Sequence, residues 1–360
     1  MAIKLADIAR ETGFSIATIS RVVNNSAYPV KSSVREKILE ASQAMGYHPN
    51  QSARSLRTDR SRTIGLLVDD LLSPFTPPVV RGIQDYLVEN DFLSLIVNTD
   101  WNPEQEREGI DNLLSRPVDG IIFVEYSHRT ASQVLANAKK PVVFVHRLFG
   151  TPIENSVVPD ECYGAGLAVE HLIQLGQRSI AYINGPENWH NSQERLTGYL
   201  DTLTAHGIPH RKDWILSGDW DLASGYQAAE NLLKTNERPG AIFAANDLMA
   251  LGAIYAVQDA GLTVPGDIAV VGYDNREFSS IVRPRITTVR MPVYEMGWIA
   301  AEMLLKQIIN GTRESDEVKV KGELIVRDTC GADESQKTAQ RFERGTSLRR
   351  VLLNKNPESY

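Results

Sequence analysis

The apolar residues of the first fifty positions follow the spacing of three short amphipathic helices. In each stretch, apolar side chains recur three or four residues apart. These positions are Leu5, Ile8 and Ala9, then Ile19, Val22 and Val23, then Ile38, Ala41 and Met45. Gly13 interrupts the first stretch, and Ser15 is suited to capping the second. Two helices joined by a short glycine-containing turn form a helix-turn-helix, whose second helix can enter the major groove of DNA.

From Thr63 onwards the pattern changes to short apolar runs separated by helical stretches. Such alternation predicts parallel β-sheets that are covered by helices on both faces. The runs cover residues 63–68, 92–97, 120–124 and 141–145, and then 179–183, 214–216, 241–244 and 268–271. Because the alternation restarts at 179, we expect two doubly wound lobes. The predicted fold class is therefore an all-α helix-turn-helix head followed by an α/β body of two parallel-sheet lobes.

The charge of the chain is distributed unevenly between these parts. The whole chain has 38 basic and 45 acidic residues, a net charge of −7. Residues 1–62 carry ten basic and five acidic side chains, which leaves −12 for the remainder. A basic head on an acidic body favours contact between the head and nucleic-acid phosphates. Charge alone would favour the simpler interpretation of a solvated basic face.

Several classes of protein are excluded by what the sequence lacks. No apolar run approaches the roughly 18 residues of a membrane-spanning helix. Cys162 and Cys330 form neither a disulfide framework nor a CxxC site, and charged residues near the start interrupt any signal-peptide core. No phosphate-binding glycine loop, nucleophile elbow or HExxH motif occurs. We therefore expect a cytoplasmic protein that is not an enzyme and that uses no cofactor or metal.

Two strings in the head resemble a known family. IKLADIARETGFSIATISRVVNN, followed by YHPNQSARSLR, resembles the DNA-binding head of the LacI family of bacterial repressors, and the resemblance continues to about Gly331. It implies a helix-turn-helix domain over 1–47 and a hinge helix with linker over 48–62. A two-lobe body over 63–331, like the periplasmic sugar-binding proteins and with three crossover strands, would bind effector and dimerise, and 332–360 would be a tail.

The resemblance also assigns DNA-contacting residues. Ile16 and Ala17 begin the second helix but can offer only apolar contact, for example to a thymine methyl, whereas Arg21 can bind guanine or phosphate. The hinge helix would enter the minor groove, where Leu56 would wedge between base pairs; the alternative for this stretch is a flexible basic linker. The predicted DNA-binding residues are Ser15, Ile16, Ala17, Thr18, Ser20, Arg21, Asn24, Asn50, Ala53, Arg54, Leu56 and Arg57.

Candidate effector-binding residues follow the predicted strands of the body. Open α/β sheets bind ligands beyond the carboxyl ends of their strands. The residues there are Ser73, Phe75, His146, Arg147, Asn191, Arg195, Trp220, Asn246 and Asp274. Aromatic faces and hydrogen-bonding groups suit a sugar, although a purine or nucleoside could use them too. Phe75 could instead belong to the core, Arg147 could form a salt bridge between the lobes, and His146 predicts ligand binding that depends on pH near about 6 to 7.

These observations together predict a homodimeric repressor that binds a near-palindromic DNA operator and responds to a sugar or sugar derivative. The alternatives are a cytosolic sugar-binding module without specific DNA readout and a regulator that responds to a purine or nucleoside. Whether dimers pair into tetramers stays open. Two helical stretches carry apolar residues beyond one stripe; some of these would belong to the lobe core, and the excess would form a dimer face. These residues are Val79, Val80, Ile83, Trp298, Met303 and Leu304.

Overall fold

A computed structural model describes residues 3–24, 28–47, 60–124, 140–146, 155–311 and 317–337. Contacts within the chain divide it into two compact units, Met1–Thr63 with Arg116–Asp119, and Ile64–Ser115 with Gly120–Tyr360. Six of the predicted binding residues lie outside the described residues. They are Asn50, Ala53, Arg54, Leu56 and Arg57 of the proposed hinge, and Arg147 of the body.

The head consists of three helices around a small core. They are α1 (Leu5–Thr12), α2 (Ile16–Val23) and α3 (Ser32–Ala44). Gly13 ends α1 with φ +73°, and its amide donates to the carbonyl of Ala9 at 3.0 Å. This left-handed conformation favours glycine, which explains the sharp turn into α2. Ile8, Ile19 and Ile38 are buried together, as their helical spacing predicted.

The first lobe of the body is built on a six-stranded sheet in the order β11-β5-β4-β3-β1-β2. Its strands are β1 (Thr63–Val68), β2 (Leu93–Asn98), β3 (Gly120–Val124), β4 (Val142–Val145), β5 (Ser156–Pro159) and β11 (Glu317–Val320). The helices of this lobe are α4 (Thr76–Glu89), α5 (Pro103–Leu114) and α10 (Val293–Asn310). β3 pairs in parallel with both β1 and β4, so the carboxyl ends of these three strands point the same way.

The second lobe has a six-stranded sheet in the order β12-β10-β9-β8-β6-β7. Its strands are β6 (Ile180–Asn184), β7 (Ile215–Ser217), β8 (Ala241–Ala244), β9 (Ala269–Asp274), β10 (Thr287–Arg290) and β12 (Glu323–Ile325). Its helices are α6 (Glu161–Gln174), α7 (His190–Ala205), α8 (Leu222–Leu233) and α9 (Asp247–Asp259), with 3₁₀ turns at Lys212–Trp214 and Glu277–Ser280. Only the pairing of β12 with β10 is antiparallel among the strand pairs described for this sheet.

The chain passes between the two sheets three times. The crossings follow β5, β10 and β11, because the next element in each case belongs to the other lobe. This agrees with the three crossovers that the resemblance implied, and the two doubly wound lobes confirm the predicted fold class.

Most of the apolar residues that were predicted to belong to the lobe core or to a dimer face on α4 and α10 belong to the core. These two helices pack against each other, and Gly82 and Gly297 leave no room for a Cβ atom against the facing backbone. Val79, Val80, Ile83 and Leu304 are therefore buried core residues, while Trp298 and Met303 are only half-buried. The excess apolar surface of the helices reflects close packing of one helix on the other.

Candidate functional site

The first site is the exposed surface of α2 in the head. Ser15 caps the helix by accepting a hydrogen bond from the Thr18 amide at 3.2 Å, and the two hydroxyls lie 2.9 Å apart. Ile16 is 52% exposed, and Ala17 beside it is also exposed. The start of α2 thus presents an apolar surface, while the hydroxyls of Ser15 and Thr18 interact with each other.

The end of α2 carries the polar groups that were predicted to contact DNA. The guanidinium of exposed Arg21 lies 3.9 Å from the centre of the Tyr28 ring, within cation–π distance. The Asn24 amide donates to the carbonyl of Ser20 at 2.7 Å and to its hydroxyl at 3.2 Å. Arg21 is therefore presented on the surface, whereas Asn24 and Ser20 hydrogen-bond to each other at the end of the helix.

The second site is a cavity of about 250 Å³ in the body. It is lined by Ser73, Pro74, Phe75, Trp101, His146, Trp189, Asn191, Arg195, Trp220, Asn246, Asp274, Arg276 and Met291. All eight of the described residues that the sequence predicted are among them. Phe75 also packs against the core of the second lobe, as its alternative interpretation predicted.

Sheet topology explains why these residues converge. His146 follows β4, Asp274 ends β9, and Asn246 lies between β8 and α9. Both lobes therefore direct the carboxyl ends of parallel strands towards the same cavity, as open α/β sheets do.

Arg195 is the most deeply buried cation of the cavity, with 3% of its side chain exposed. Its Nε donates to Glu161 Oε2 at 2.8 Å and its Nη2 to Glu161 Oε1 at 2.9 Å, while Nη1 donates to the carbonyl of Ala245. Although burial acts to lower the pKa of Arg195, the charge and hydrogen bonds of Glu161 raise it above its ordinary value. Arg195 is therefore a fixed cation whose charge is balanced by Glu161.

Asp274 faces this guanidinium without bonding to it directly. Its Oδ1 lies 3.9 Å from Arg195 Nη1, which is beyond hydrogen-bond distance. Burial raises the pKa of the Asp274 carboxyl well above its usual range, against the opposing effect of Arg195. An acceptor and a donor thus face each other across a gap that a ligand hydroxyl could bridge.

Trp220 is held in place by its neighbours. The Asn246 amide donates to the Trp220 carbonyl at 2.9 Å, while Asn246 Oδ1 caps α9 by accepting from the Met249 amide at 2.8 Å. The Trp220 ring lies so close to Gly185 that a Cβ atom there would overlap it. Trp220 Nε1 is buried with no hydrogen-bond partner in the described part of the chain.

Four of the cavity residues adopt the left-handed backbone region that is unusual for residues with a side chain. They are Trp101 (φ 60°), His146 (φ 55°), Trp220 (φ 62°) and Asp274 (φ 104°). Such conformations cost about 1 to 3 kcal/mol each and concentrate at functional sites.

Comparisons with known proteins match both parts of the chain. The model of the bacterial regulatory proteins of the lacI family matches residues 4–50, and that of the periplasmic binding protein-like domain matches 169–330. Catabolite control protein A of Priestia megaterium is 37% identical over 324 residues, which cover 89% of this chain and 97% of that protein. The chain belongs to the lacI family. It is a DNA-binding transcriptional regulator and not an enzyme.

Solved structures of lacI-family proteins have the same fold. The lac repressor dimer bound to operator and the anti-inducer ONPF matches with a TM-score of 0.76 and 30% identity, covering 92% of this chain and all of that one. A complex of the transcriptional regulator CelR with cellobiose matches with a TM-score of 0.67 and 31% identity, covering 91% of this chain and 99% of that chain.

The environment of His146 bears on one prediction for this lacI-family chain. Burial lowers the pKa of His146 to about 4. The ring is therefore neutral between pH 6 and 7, which does not support the expectation that its titration makes ligand binding depend on pH in that range.

Other cavity residues were missed by the sequence prediction. Trp101 and Trp189 lie three and five residues beyond their strands, and Arg276 lies two residues beyond Asp274. Glu161 was missed because an acidic residue in the first turn of a helix is common for electrostatic reasons alone.

Within the described residues no group of three or more His, Cys, Asp or Glu side chains could hold a metal ion, and no helix is long and apolar enough to cross a membrane.

Proposed function

We propose that this lacI-family regulator is a homodimeric repressor whose operator affinity is controlled by a sugar or sugar derivative in the cavity. The observation that carries the effector class is the combination of aromatic faces with an unbridged donor and acceptor. Phe75, Trp101, Trp189 and Trp220 line the cavity around the gap between Arg195 and Asp274.

Sugar chemistry suits this arrangement. The C–H face of a pyranose ring packs against aromatic rings, while hydroxyl groups both donate and accept hydrogen bonds. One hydroxyl between Arg195 Nη1 and Asp274 Oδ1 could satisfy both groups, and the buried Nε1 of Trp220 offers a further donor. The similarity to the cellobiose complex of CelR supports the same ligand class.

On this proposal, α2 reads each half of a near-palindromic operator. Ile16, Ala17 and Arg21 would contact base edges or phosphates, and the hinge over 48–62 would place Leu56 at the centre of the site. The apolar start of α2 supports contact with thymine methyl groups.

A second copy of the chain is the proposed partner of exposed apolar residues at the edge of the first lobe. β2 is the edge strand of its sheet, and Leu93 on it is 70% exposed. Leu72 is 93% exposed, and Val88 and Leu95 are exposed as well. The similarity to the lac repressor, whose structure is a dimer bound to operator, supports a second copy of the chain as the kind of partner.

Selection from a random pool of DNA duplexes at physiological salt tests the repressor proposal. Enrichment of a two-fold-symmetric site with a central pyrimidine–purine step is expected, since such steps kink most easily. Failure to retain any sequence, with or without a metabolite extract, would overturn specific readout and favour a sugar-binding module.

Thermal-shift measurements with sugars, sugar phosphates, nucleosides and purines test the effector class. A ligand at 100 times its dissociation constant stabilises its protein by about 2.7 kcal/mol. Sugars should raise the melting temperature of the wild type but not of an Arg195→Ala variant. A shift produced only by purines or nucleosides would contradict the sugar assignment and identify the alternative ligand class.

A further inference from the structure

A fully buried carboxylate lies beneath the cavity without lining it. Glu161 is 0% exposed, and both of its oxygens accept hydrogen bonds from Arg195. The Tyr273 ring lies 3.9 Å from the Arg195 guanidinium. Adding a Cβ atom at Gly164 would collide with the Tyr273 hydroxyl, so the ring has little room to move.

These contacts determine which donors of Arg195 remain for a ligand. A guanidinium has five N–H groups in a rigid plane. Glu161 takes one from Nε and one from Nη2, and the carbonyl of Ala245 takes one from Nη1. The second N–H of Nη2 donates to Met291 Sδ at 4.0 Å, so one N–H remains, on the Nη1 atom that faces Asp274. The carboxylate thereby fixes the direction of the donor that is left.

Glu161 also occupies a special place in the chain. It is the first residue of α6 and follows the crossover from β5 of the first lobe. Asp160, immediately before it, donates its amide to the carbonyl of Val320 at 2.9 Å, where the β11 crossover begins. Any movement of Arg195 towards a ligand therefore acts on a residue at the junction of two crossovers.

We infer that Glu161 is the positioning residue of the effector cavity, which holds Arg195 for the ligand and links cavity occupation to the crossovers between the lobes. Tyr273 adds a contact of its ring with the Arg195 guanidinium. The inference rests on the proposed function, because it takes the cavity to be the effector site. Allosteric coupling needs a ligand contact whose free energy differs between the two arrangements of the lobes, and the Arg195–Glu161 pair would provide one.

The orientation of Arg195 can be tested without any ligand, by NMR of arginine Nε–H groups. In the wild type, Arg195 should give a slowly exchanging signal that disappears in Arg195→Lys. In Glu161→Gln, exchange should become about 10- to 100-fold faster, because a hydrogen bond to a charged group is lost. Asp328→Asn is the matched control, since Asp328 accepts both Nε and Nη2 of Arg285 away from the cavity. Unchanged exchange in Glu161→Gln would overturn the inference.

Glu161→Asp keeps the test decisive if Glu161→Gln fails to fold. It retains the charge but shortens the side chain by one methylene, so it should speed the exchange of the Arg195 signal several-fold. Asp328→Glu is its control, because it changes the length of a carboxylate that pairs with Arg285 away from the cavity. Equal exchange rates of the Arg195 signal in the two variants would count against a positioning role.

Titration with cellobiose, D-glucose and hypoxanthine tests the coupling and separates the two hypotheses. In the wild type, any probe that binds the cavity should change operator affinity. In Glu161→Gln, the same probe should bind at least about tenfold more weakly and should change operator affinity less. A full effect in Glu161→Gln would overturn the link to the crossovers. If no probe affects the wild type, the proposed sugar response fails, while the exchange measurement still decides the role of Glu161.

Discussion

The surface of α2 and the effector cavity hold their side chains in opposite ways. On α2, Ile16 and Arg21 are exposed, and the helix is fixed from below by the buried Ile19. In the cavity, Arg195 and its partner Glu161 are buried and bonded to each other. A surface that reads DNA can therefore change without affecting the fold, whereas the cavity cannot lose a charge without loss of stability.

Arg195→Ala should give the largest effect. It leaves the Glu161 carboxylate buried without its cation, which typically costs about 3 to 5 kcal/mol. Urea denaturation should show this loss, and effector titrations should show that the response of operator binding is abolished. Arg285→Ala removes a pair whose side chains are about one quarter exposed, so it should cost about 0 to 1 kcal/mol. Equal stabilities of the two variants would remove the contrast between cavity and surface.

The same contrast explains how much the sequence could predict. Long buried strands such as β1 and β3 are visible as uninterrupted apolar runs, and the topology then places His146, Asn246 and Asp274 at one cavity. The short strands β5, β10, β11 and β12 were missed, since polar residues or proline shorten their apolar runs to one or two residues. Glu161 was equally hidden, because its role arises from a contact with a residue 34 positions away.

Arg21→Ala should have the next largest effect, and only on DNA binding. Loss of a base or phosphate contact should weaken operator binding by about 1 to 3 kcal/mol. The free energy of unfolding should change by less than about 0.5 kcal/mol, since surface substitutions rarely do more. Fluorescence anisotropy with the selected operator, beside urea denaturation, measures both quantities. If the loss of stability matched the loss of affinity, the contribution of Arg21 to DNA binding could not be separated from its contribution to folding.

Ser15→Ala should produce a smaller effect, on both the stability of α2 and the affinity for DNA. The Ser15 hydroxyl accepts the Thr18 amide, and loss of such a cap costs about 1 kcal/mol of helix stability. Operator affinity should fall modestly, while the effector affinity of the body should not change. Ser33→Ala is the control, because Ser33 lies within α3 and no side-chain capping bond is made at the start of that helix. Equal operator affinities for the two variants would argue against a role of the cap.

The smallest expected effect is that of His146 titration on effector binding. Because burial lowers the pKa of His146 from 6.5 to about 4, its ring stays neutral in the folded protein and should add no pH dependence to effector affinity between pH 6 and 8. The free energy of unfolding should respond instead: the contribution of His146 to it is complete above pH 6.5 and is lost as the pH falls towards 4.

Asp247 should change the free energy of unfolding in the opposite direction, since burial raises its pKa to about 7. Its contribution is lost as the pH rises from 3.8 to 7. Urea denaturation of His146→Asn and Asp247→Asn across this range should resolve the two slopes, and an effector affinity that changes with pH in the wild type but not in His146→Asn would restore histidine as a sensor.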